Sequence, residues 1–181
     1  LFAFMWLRLR RPPKTTKLIL GLGNVGAEYI GTRHNIGFAV LDALCQELGE
    51  RWKERPALHT FVCEHAGQKK LVLAKPTTYM NRSGQAAEAL ARFYKPTEII
   101  VVHDDADLPL GEVRVRSKGG SAGHNGVASL IESLGEEGFI RVRVGIGRPQ
   151  NPNMPLEDWV LGKWNETEKE CVREWETGEA R

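Results

Sequence analysis

The stretch Glu98-Ile99-Ile100-Val101-Val102-His103 decides the fold of this 181-residue chain. Its β-branched run predicts a strand buried on both faces, which is typical of the centre of a sheet covered by helices. The acidic cluster Asp104-Asp105-Ala106-Asp107 follows at once. Because ligands bind beyond the carboxyl ends of strands in such sheets, the polar groups at this point are candidates for a functional site.

The elements on either side alternate between strand and helix. Residues 17–20 form a short aliphatic run that ends in a glycine turn, and residues 36–48 carry apolar side chains at helical spacing, with Gly49 as the cap. The same reasoning predicts hairpin strands at 58–64 and 69–74, a helix capped by Ser83 and ended by Lys95-Pro96, a strand at 112–116, a helix at 127–134, a strand at 139–146 and a mostly helical tail at 155–176. This order predicts a single-domain α/β fold of three layers, with a mixed, mostly parallel β-sheet flanked by helices.

Composition sets the broad class of the protein. With 41% hydrophobic and 27% charged residues, the chain resembles soluble globular proteins, and no apolar run approaches the roughly 18 residues of a membrane span. The net charge of +2 is no argument for nucleic-acid binding. Three scattered cysteines predict buried, reduced thiols. Residues 1–16 are basic and are expected to be a disordered leader or appended segment, so the domain is predicted at 17–181.

Three separate stretches are rich in groups that do chemistry: Thr32-Arg33-His34-Asn35, Tyr79-Met80-Asn81 and Gly123-His124-Asn125-Gly126. Each places an asparagine in a glycine- or threonine-marked loop, where its amide can hydrogen-bond a ligand. A polar site assembled from several loops is the simplest explanation.

His34 is the best candidate for a general base, because a neutral imidazole can take a proton from water near pH 7. A carboxylate of the acidic cluster at residues 104–107 could accept the proton of the other ring nitrogen and fix the tautomer. Two other interpretations stay open: His34 could be a hydrogen-bonded loop residue, and the aspartates with His103 could be metal ligands, although their spacing is irregular.

Covalent catalysis lacks a candidate nucleophile, so water is expected to attack the substrate. The amides of Asn24, Asn81 and Asn125 are donors suited to a developing oxyanion, and Met80 either covers an apolar part of a ligand or fills the core. The alternating arginines at 114, 116, 141 and 143 predict either a phosphate-binding patch or a solvated sheet face.

The run Gly21-Leu22-Gly23-Asn24-Val25-Gly26 fits the glycine fingerprint of dinucleotide binding in form. The fingerprint also requires a helix that opens at once and an acidic residue about 20 positions later at the end of a strand. Here the stretch at 31–35 interrupts any helix, so a tight turn that presents Asn24 is favoured over an NAD site.

At these residues the chain resembles the bacterial-type peptidyl-tRNA hydrolase family, over residues 17 to about 164. The matching motifs are Gly21-Leu22-Gly23-Asn24, Tyr29, Thr32-Arg33-His34-Asn35-Ile36-Gly37-Phe38, Lys75-Pro76, Tyr79-Met80-Asn81-Arg82-Ser83-Gly84, His103-Asp104, Asp107-Leu108-Pro109, Gly123-His124-Asn125-Gly126 and Arg143-Val144-Gly145-Ile146-Gly147. Departures from the family pattern are Val25 for proline, Asp105 for glutamate and a loop less rich in glycine at Ser121-Ala122.

The resemblance implies an ester hydrolase that acts in translation and ribosome rescue and releases tRNA and peptide from peptidyl-tRNA. It implies His34 as the catalytic base supported by Asp104, no cofactor or metal, and a monomer. It assigns substrate binding to Asn24, Tyr29, Met80, Asn81, His124 and Asn125, and binding of tRNA phosphates to Arg116 and Arg143.

Two other functions stay open. Relatives of this fold also include non-catalytic RNA-binding proteins that assist intron splicing in organelles, and a dinucleotide-dependent enzyme comes third. The expected location is the cytoplasm, or a mitochondrion or chloroplast if the basic leader is native.

Overall fold

A computed structural model describes residues 15–176 of the chain. Seven strands are present: β1 (Thr16–Gly21), β2 (Lys53–Arg55), β3 (Thr60–Ala66), β4 (Lys70–Pro76), β5 (Glu98–Asp105), β6 (Val113–Arg116) and β7 (Ile140–Gly145). The helices are α1 (Ile36–Glu47), α2 (Ser83–Tyr94), α3 (Asn125–Leu134), α4 (Leu156–Leu161) and α5 (Glu166–Glu176), with short 3₁₀ turns between some elements. No helix in this part of the chain is long and apolar enough to cross a membrane.

The strands form one sheet in the order β2-β3-β4-β1-β5-β7-β6. β1 pairs in parallel with β4 and β5, and β5 pairs in parallel with β7, while β3 and β6 run in the opposite direction to their neighbours. The predicted mixed α/β sheet is therefore confirmed, and the β-branched run at 98–103 lies near its centre. The carboxyl ends of β1 and β5 meet at one edge, where Leu22 N donates to Val102 O.

Helices cover both faces of the sheet and divide the core in two. One core joins the sheet to α2 and α3 through Leu20, Val101, Leu90 and Leu130. The other joins the sheet to α1 and α5 through side chains that include Leu41, Val102 and Val172. All but Val102 and Val172 are fully buried, and these two are 3% and 2% exposed, so burial of apolar area drives the assembly of the three layers.

The packing of α1 against β1 depends on two glycines. A Cβ on Gly21 would lie 2.9 Å from the carbonyl carbon of Gly37, and a Cβ on Gly37 would meet the backbone of Leu22 and Val102. The glycines therefore let a helix approach the sheet backbone. Because two 3₁₀ turns separate β1 from α1, no helix opens directly on the glycine run, and the dinucleotide fingerprint is not formed.

Most predicted elements are present, with corrections at their ends. Gly49 ends α1 as predicted: its φ is +68°, and its N–H and that of Glu50 donate to Gln46 O and Cys45 O, the pattern of a Schellman cap. Ser83 does not cap α2 as predicted; it lies inside the helix and its hydroxyl donates to Met80 O. The sequence pattern did not predict β2, since Lys53–Arg55 are all exposed.

Two predictions concern the ends and the thiols. β1 begins at Thr16, one residue before the predicted start of the domain, and residues 1–14 of the predicted leader lie outside the described residues. Cys45 and Cys63 are buried free thiols with their Sγ atoms 2.7 Å apart, and burial, followed by the hydrogen bond with Cys45, raises the pKa of Cys63 to about 12. Cys171 is exposed rather than buried.

Candidate active site

A cleft of about 480 Å³ opens at the carboxyl ends of β1 and β5. It is lined by segments from the three loop stretches, from the end of β5 and from α4. The predicted site residues that line it are Asn24, Tyr29, His34, Met80, Asn81, Asp104, His124 and Asn125. Sequence-distant loops therefore converge on one cavity.

Asp104 lies at the centre of a hydrogen-bonded pair of histidines. Its Oδ1 atom is 2.8 Å from His34 Nδ1 and 2.9 Å from His124 Nε2. The Asp104 residue is 3% exposed and His34 is 8% exposed, so water competes little for these bonds. The rings of His34 and His124 lie 4.9 Å apart and tilted. One buried carboxylate oxygen thus orients two imidazoles.

The backbone at the start of α3 fixes the protonation of His124. Its Nδ1 atom accepts hydrogen bonds from the N–H groups of Gly126 and Val127, at 3.1 and 3.3 Å. A ring nitrogen that accepts carries no proton, so the proton of His124 sits on Nε2 and is donated to Asp104. His124 therefore caps α3 through Nδ1 and donates to the carboxylate through Nε2.

The Asp104 carboxylate stays ionised. Burial opposes its charge, but the hydrogen bonds of His124 and His34 outweigh burial and hold the pKa of Asp104 well below its usual range. A carboxylate anion only accepts, so His34 donates its Nδ1 proton, and the neutral form of the ring carries its lone pair on Nε2. Such a ring can take a proton from a water molecule in the cleft.

A third histidine, His103, packs against His124 and belongs to the same cluster. Its Nδ1 donates to the backbone oxygen of Asp104 at 2.8 Å, and its ring meets that of His124 edge to face. Burial lowers the pKa of His103 to about 4. The ring is therefore neutral near pH 7, and its Nε2 atom is buried without a hydrogen-bond partner among the described residues.

Hydrogen bonds with Asn35 and Met80 hold Asn24 and orient its side-chain amide. Its backbone N–H donates to Asn35 Oδ1 and its backbone oxygen accepts from Asn35 Nδ2. Its side-chain Oδ1 accepts from Met80 N at 2.7 Å, which leaves the Nδ2 donor for the cleft. Asn35 itself does not line the cleft, so the expectation that its amide binds a ligand is wrong: the amide supports Asn24.

The remaining predicted substrate-binding residues differ in exposure. Met80 is 4% exposed and packs in the core below the cleft, so it both fills the core and lines the cavity. Asn81 and Asn125 are exposed at the cleft, which leaves their amides accessible. Tyr29 meets Tyr79 edge to face, with ring centroids 6.5 Å apart, at the wall of the cleft.

Comparison with known proteins identifies the family to which this arrangement belongs. The family profile described as peptidyl-tRNA hydrolase matches residues 18–178. The chain belongs to this family. A peptidyl-tRNA hydrolase of Geobacillus thermodenitrificans is 47% identical over 160 residues, which cover 87% of this chain and 86% of the relative. That of Gloeobacter violaceus is 45% identical over 157 residues, with 85% and 79% coverage.

A solved structure gives the same result for the fold. The crystal structure of peptidyl-tRNA hydrolase from Acinetobacter baumannii superposes with a TM-score of 0.81 at 34% identity. The superposition covers 88% of this chain and 82% of that chain. The three-layer architecture is thus shared with the peptidyl-tRNA hydrolase family.

The two arginines predicted to hold tRNA phosphates lie outside the cleft of this peptidyl-tRNA hydrolase family member. The register pairs Arg114 with Arg143 and Arg116 with Arg141, so all four arginines share one sheet face. Arg143 donates from Nε to Asp105 at 2.5 Å, and Arg141 is buried against backbone carbonyls, including that of Gly119. Arg116 is exposed and, within residues 15–176, has no recorded partner.

Sequence reasoning missed one wall of the cleft. That wall is α4, whose side chains at the cavity are Leu156, Glu157, Val160 and Leu161. Tyr79, His103 and Arg148 also line the cleft; Tyr79 had been named only as part of its loop stretch, His103 only as a possible metal ligand, and Arg148 not at all. The helical pattern at 155–176 was visible, but a six-residue helix carries no signal that shows which element its side chains face.

The ligand atoms of His34, Asp104 and His124 lie within 4.8 Å of one another, a geometry that could hold a metal ion. In the structure the two ring nitrogens instead bond the same carboxylate oxygen, and His124 Nδ1 is occupied by the backbone. Each of these atoms is therefore satisfied by hydrogen bonds. That this peptidyl-tRNA hydrolase family member works without metal stays a prediction.

Proposed function

We propose that this protein hydrolyses the ester bond between peptide and tRNA in peptidyl-tRNA, with His34 as the general base. The observation that carries the proposal is the buried Asp104 carboxylate, which holds His34 by Nδ1 and leaves Nε2 facing a cleft lined by asparagine amides. Its context is a chain that belongs to the peptidyl-tRNA hydrolase family along most of its length.

The proposed reaction has two proton transfers. His34 Nε2 takes a proton from water as the water oxygen bonds to the ester carbonyl carbon, and the carbonyl becomes an oxyanion. The carbonyl then re-forms, the bond to the ribose oxygen of tRNA breaks, and the imidazolium of His34 returns the proton to that oxygen. Asp104 stabilises the imidazolium between the two transfers, as the carboxylate of a Ser-His-Asp triad does.

The amides supply the polar contacts that the ester needs. Asn24 Oδ1 accepts from Met80 N, so Nδ2 is the side-chain atom with which Asn24 can donate to a substrate. Asn81 and Asn125 present accessible amides at the same cleft. A donor aimed at the oxyanion contributes about 3 kcal/mol to transition-state stabilisation. Together with a histidine base, worth about 10²- to 10⁴-fold in rate, such donors can sustain ester hydrolysis without a metal.

Turnover in the presence of a chelator tests the reaction. We expect purified protein to release tRNA from N-acetylphenylalanyl-tRNA at the same rate with and without EDTA, because His34 and not a bound ion activates the water. The release is measured by acid precipitation of labelled product. Loss of activity in EDTA with recovery on added Zn²⁺ would contradict metal independence. Tight binding of structured RNA without ester cleavage would contradict the hydrolase and fit the splicing alternative.

We further propose that Arg116 binds phosphate of the tRNA. Arg116 is exposed, whereas Arg143 on the same sheet face is paired with Asp105. Replacing Arg116 with alanine is expected to weaken tRNA binding and to reduce the slope of log K against log salt by about 0.7 to 0.9, the value of one phosphate contact. Binding titrations at several salt concentrations measure this. Arg92→Ala, which alters an exposed arginine paired with Glu88 on α2, is the matched control and should leave the slope unchanged.

Three further properties stay predictions. We propose that the protein is a monomer, that it acts in the cytoplasm, and that it needs no cofactor. Sedimentation of the purified chain and localisation of the full-length protein would test the first two.

A further inference from the structure

Arg33, the neighbour of His34, has a buried guanidinium that the proposed chemistry does not use. Only 5% of the residue is exposed. Its Nη2 donates to both carboxylate oxygens of Glu168, at 2.9 and 2.7 Å, and its Nη1 donates to Trp159 O at 3.3 Å. The guanidinium also lies 3.6 Å from the ring centroid of Trp159 and 5.2 Å from that of Trp164. Arg33 therefore joins the catalytic loop to both α4 and α5.

The carboxylate of Glu168 is also held by contacts at the start of its own helix. Its carboxylate accepts from the backbone N–H of Asn165, and Asn165 Oδ1 accepts from the N–H of Glu168, both at 2.8 Å. This reciprocal pair is a capping box at the start of α5. The carboxylate is thus oriented by its own helix, and the ion pair with Arg33 is 13% exposed on the Glu168 side.

We call the contacts of Arg33 with Trp159 and Glu168 the clasp. The clasp holds α4, which forms one wall of the cleft. Trp159 lies in the middle of α4, and its Nε1 donates to Gly147 O at 2.8 Å. Leu156 and Leu161 of the same helix line the cleft with 43% and 37% of their surfaces exposed. Apolar side chains left open on a cleft wall suit apolar side chains of a bound peptide.

We propose that Arg33 is a positioning residue that fixes α4 against the catalytic loop and so sets the affinity of the cleft for the peptide part of the substrate. This inference rests on the proposed hydrolase function. The planar guanidinium is required because it stacks on Trp159 while its fork reaches Glu168 and the α4 backbone, a combination that a lysine ammonium cannot reproduce. His34 keeps its own anchor in Asp104, so loss of the clasp leaves proton transfer unchanged.

The decisive experiment compares kcat and KM of Arg33→Lys and Glu168→Gln with those of the wild type. A glutamine side chain can retain the capping box, so the second variant removes the ion pair without removing the helix cap. With N-acetylphenylalanyl-tRNA we expect KM to rise about tenfold, the size of one lost apolar contact. We expect kcat to change less than threefold, the pH profile of kcat to be unchanged, and KM for N-acetylglycyl-tRNA to change little.

A third variant leaves both ion-pair partners intact. Gly162 has φ of −69° and ψ of 145°, which alanine adopts without strain, but a Cβ there would lie 2.7 Å from Arg33 Nη1. Gly162→Ala should therefore displace the guanidinium and raise KM in the same way. Arg92→Lys on α2, in the exposed pair with Glu88, is the control and should match the wild type.

Hydrogen exchange gives a second readout that does not depend on activity. Amides of residues 156–164 should exchange faster in Arg33→Lys and Glu168→Gln, while those of β5 stay as protected as in the wild type. A fall in kcat or a shifted pH profile at unchanged KM would overturn the proposal, because the clasp would then act on His34. Unchanged KM and unchanged exchange would overturn it as well. A wild type without turnover would contradict the proposed function, whereas the exchange result would still test the clasp.

Discussion

Replacing His34 with alanine is expected to lower kcat for peptidyl-tRNA hydrolysis by about 10²- to 10⁴-fold, the contribution of a positioned general base. KM should change little, because the amides of Asn24, Asn81 and Asn125 and the wall formed by α4 remain. The proton of the attacking water would then have to pass to bulk solvent. Single-turnover release of labelled peptide, measured with enzyme in excess, separates this chemical loss from any change in binding.

A second histidine provides the control for His34. His65 Nδ1 also bonds a carboxylate, Glu50 Oε1 at 3.1 Å, but the pair lies on the surface away from the cleft. His65→Ala should retain wild-type activity, and circular dichroism should show that both variants keep their folded structure. Near-normal turnover by a folded His34→Ala variant would refute the assignment of the base.

The fold was predictable where the sequence pattern is local. The β-branched run at 98–103 is a buried central strand because such side chains need cover on both faces, and the alternation of strand and helix leaves few arrangements for one domain. β2 was not predictable, because three exposed charged residues carry neither alternation nor an apolar signal. Its strand conformation comes from pairing with β3, which is a tertiary effect.

The candidate site was predictable in its residues and not in their contacts. Polar loops after strand ends point to the cleft, and the structure brings together His34, Asp104 and His124 there. The local sequence pattern does not distinguish Asn24 from Asn35, yet Asn35 bonds the backbone of Asn24 and faces away from the cavity. Likewise, only the turn into α3 reveals that backbone N–H groups occupy His124 Nδ1.

Charge patterns show the same limit. Alternation correctly predicts that Arg114 and Arg116 share a face, and that Arg141 and Arg143 do as well. It cannot show that Asp105 bonds Arg143 or that the Gly119 carbonyl accepts from Arg141, because those partners come from distant parts of the chain. The number of free cations on a sheet face is therefore a property of the packed structure and not of the strand sequence.

Replacing Asp104 with asparagine is expected to reduce kcat by at least about 10²-fold and toward the roughly 10⁴-fold effect of the equivalent change in Ser-His-Asp triads. The amide has no charge to stabilise the His34 imidazolium. Its NH₂ group is a donor, so a ring nitrogen that donates to the carboxylate in the wild type would have to accept from the amide in the variant. Both His34 and His124 bond the same oxygen, so one substitution affects both hydrogen bonds. Single-turnover kinetics measure the loss, and Asp42→Asn, which alters a surface carboxylate paired with Lys75, is the control.

The pH dependence of stability gives an independent check on the charge of Asp104. Its pKa is lower in the folded protein than in the unfolded chain, so the carboxylate adds stability that is fully present above the unfolded pKa of about 3.9 and lost as pH falls through the folded pKa. The stability of the wild type relative to Asp104→Asn should therefore be constant near neutral pH and decline only in strong acid. Urea unfolding of both proteins across this range measures the difference. A difference that stays the same down to the most acidic pH at which both proteins fold would mean that Asp104 is not held as an anion, and His34 would then lack the partner that fixes its reactive tautomer.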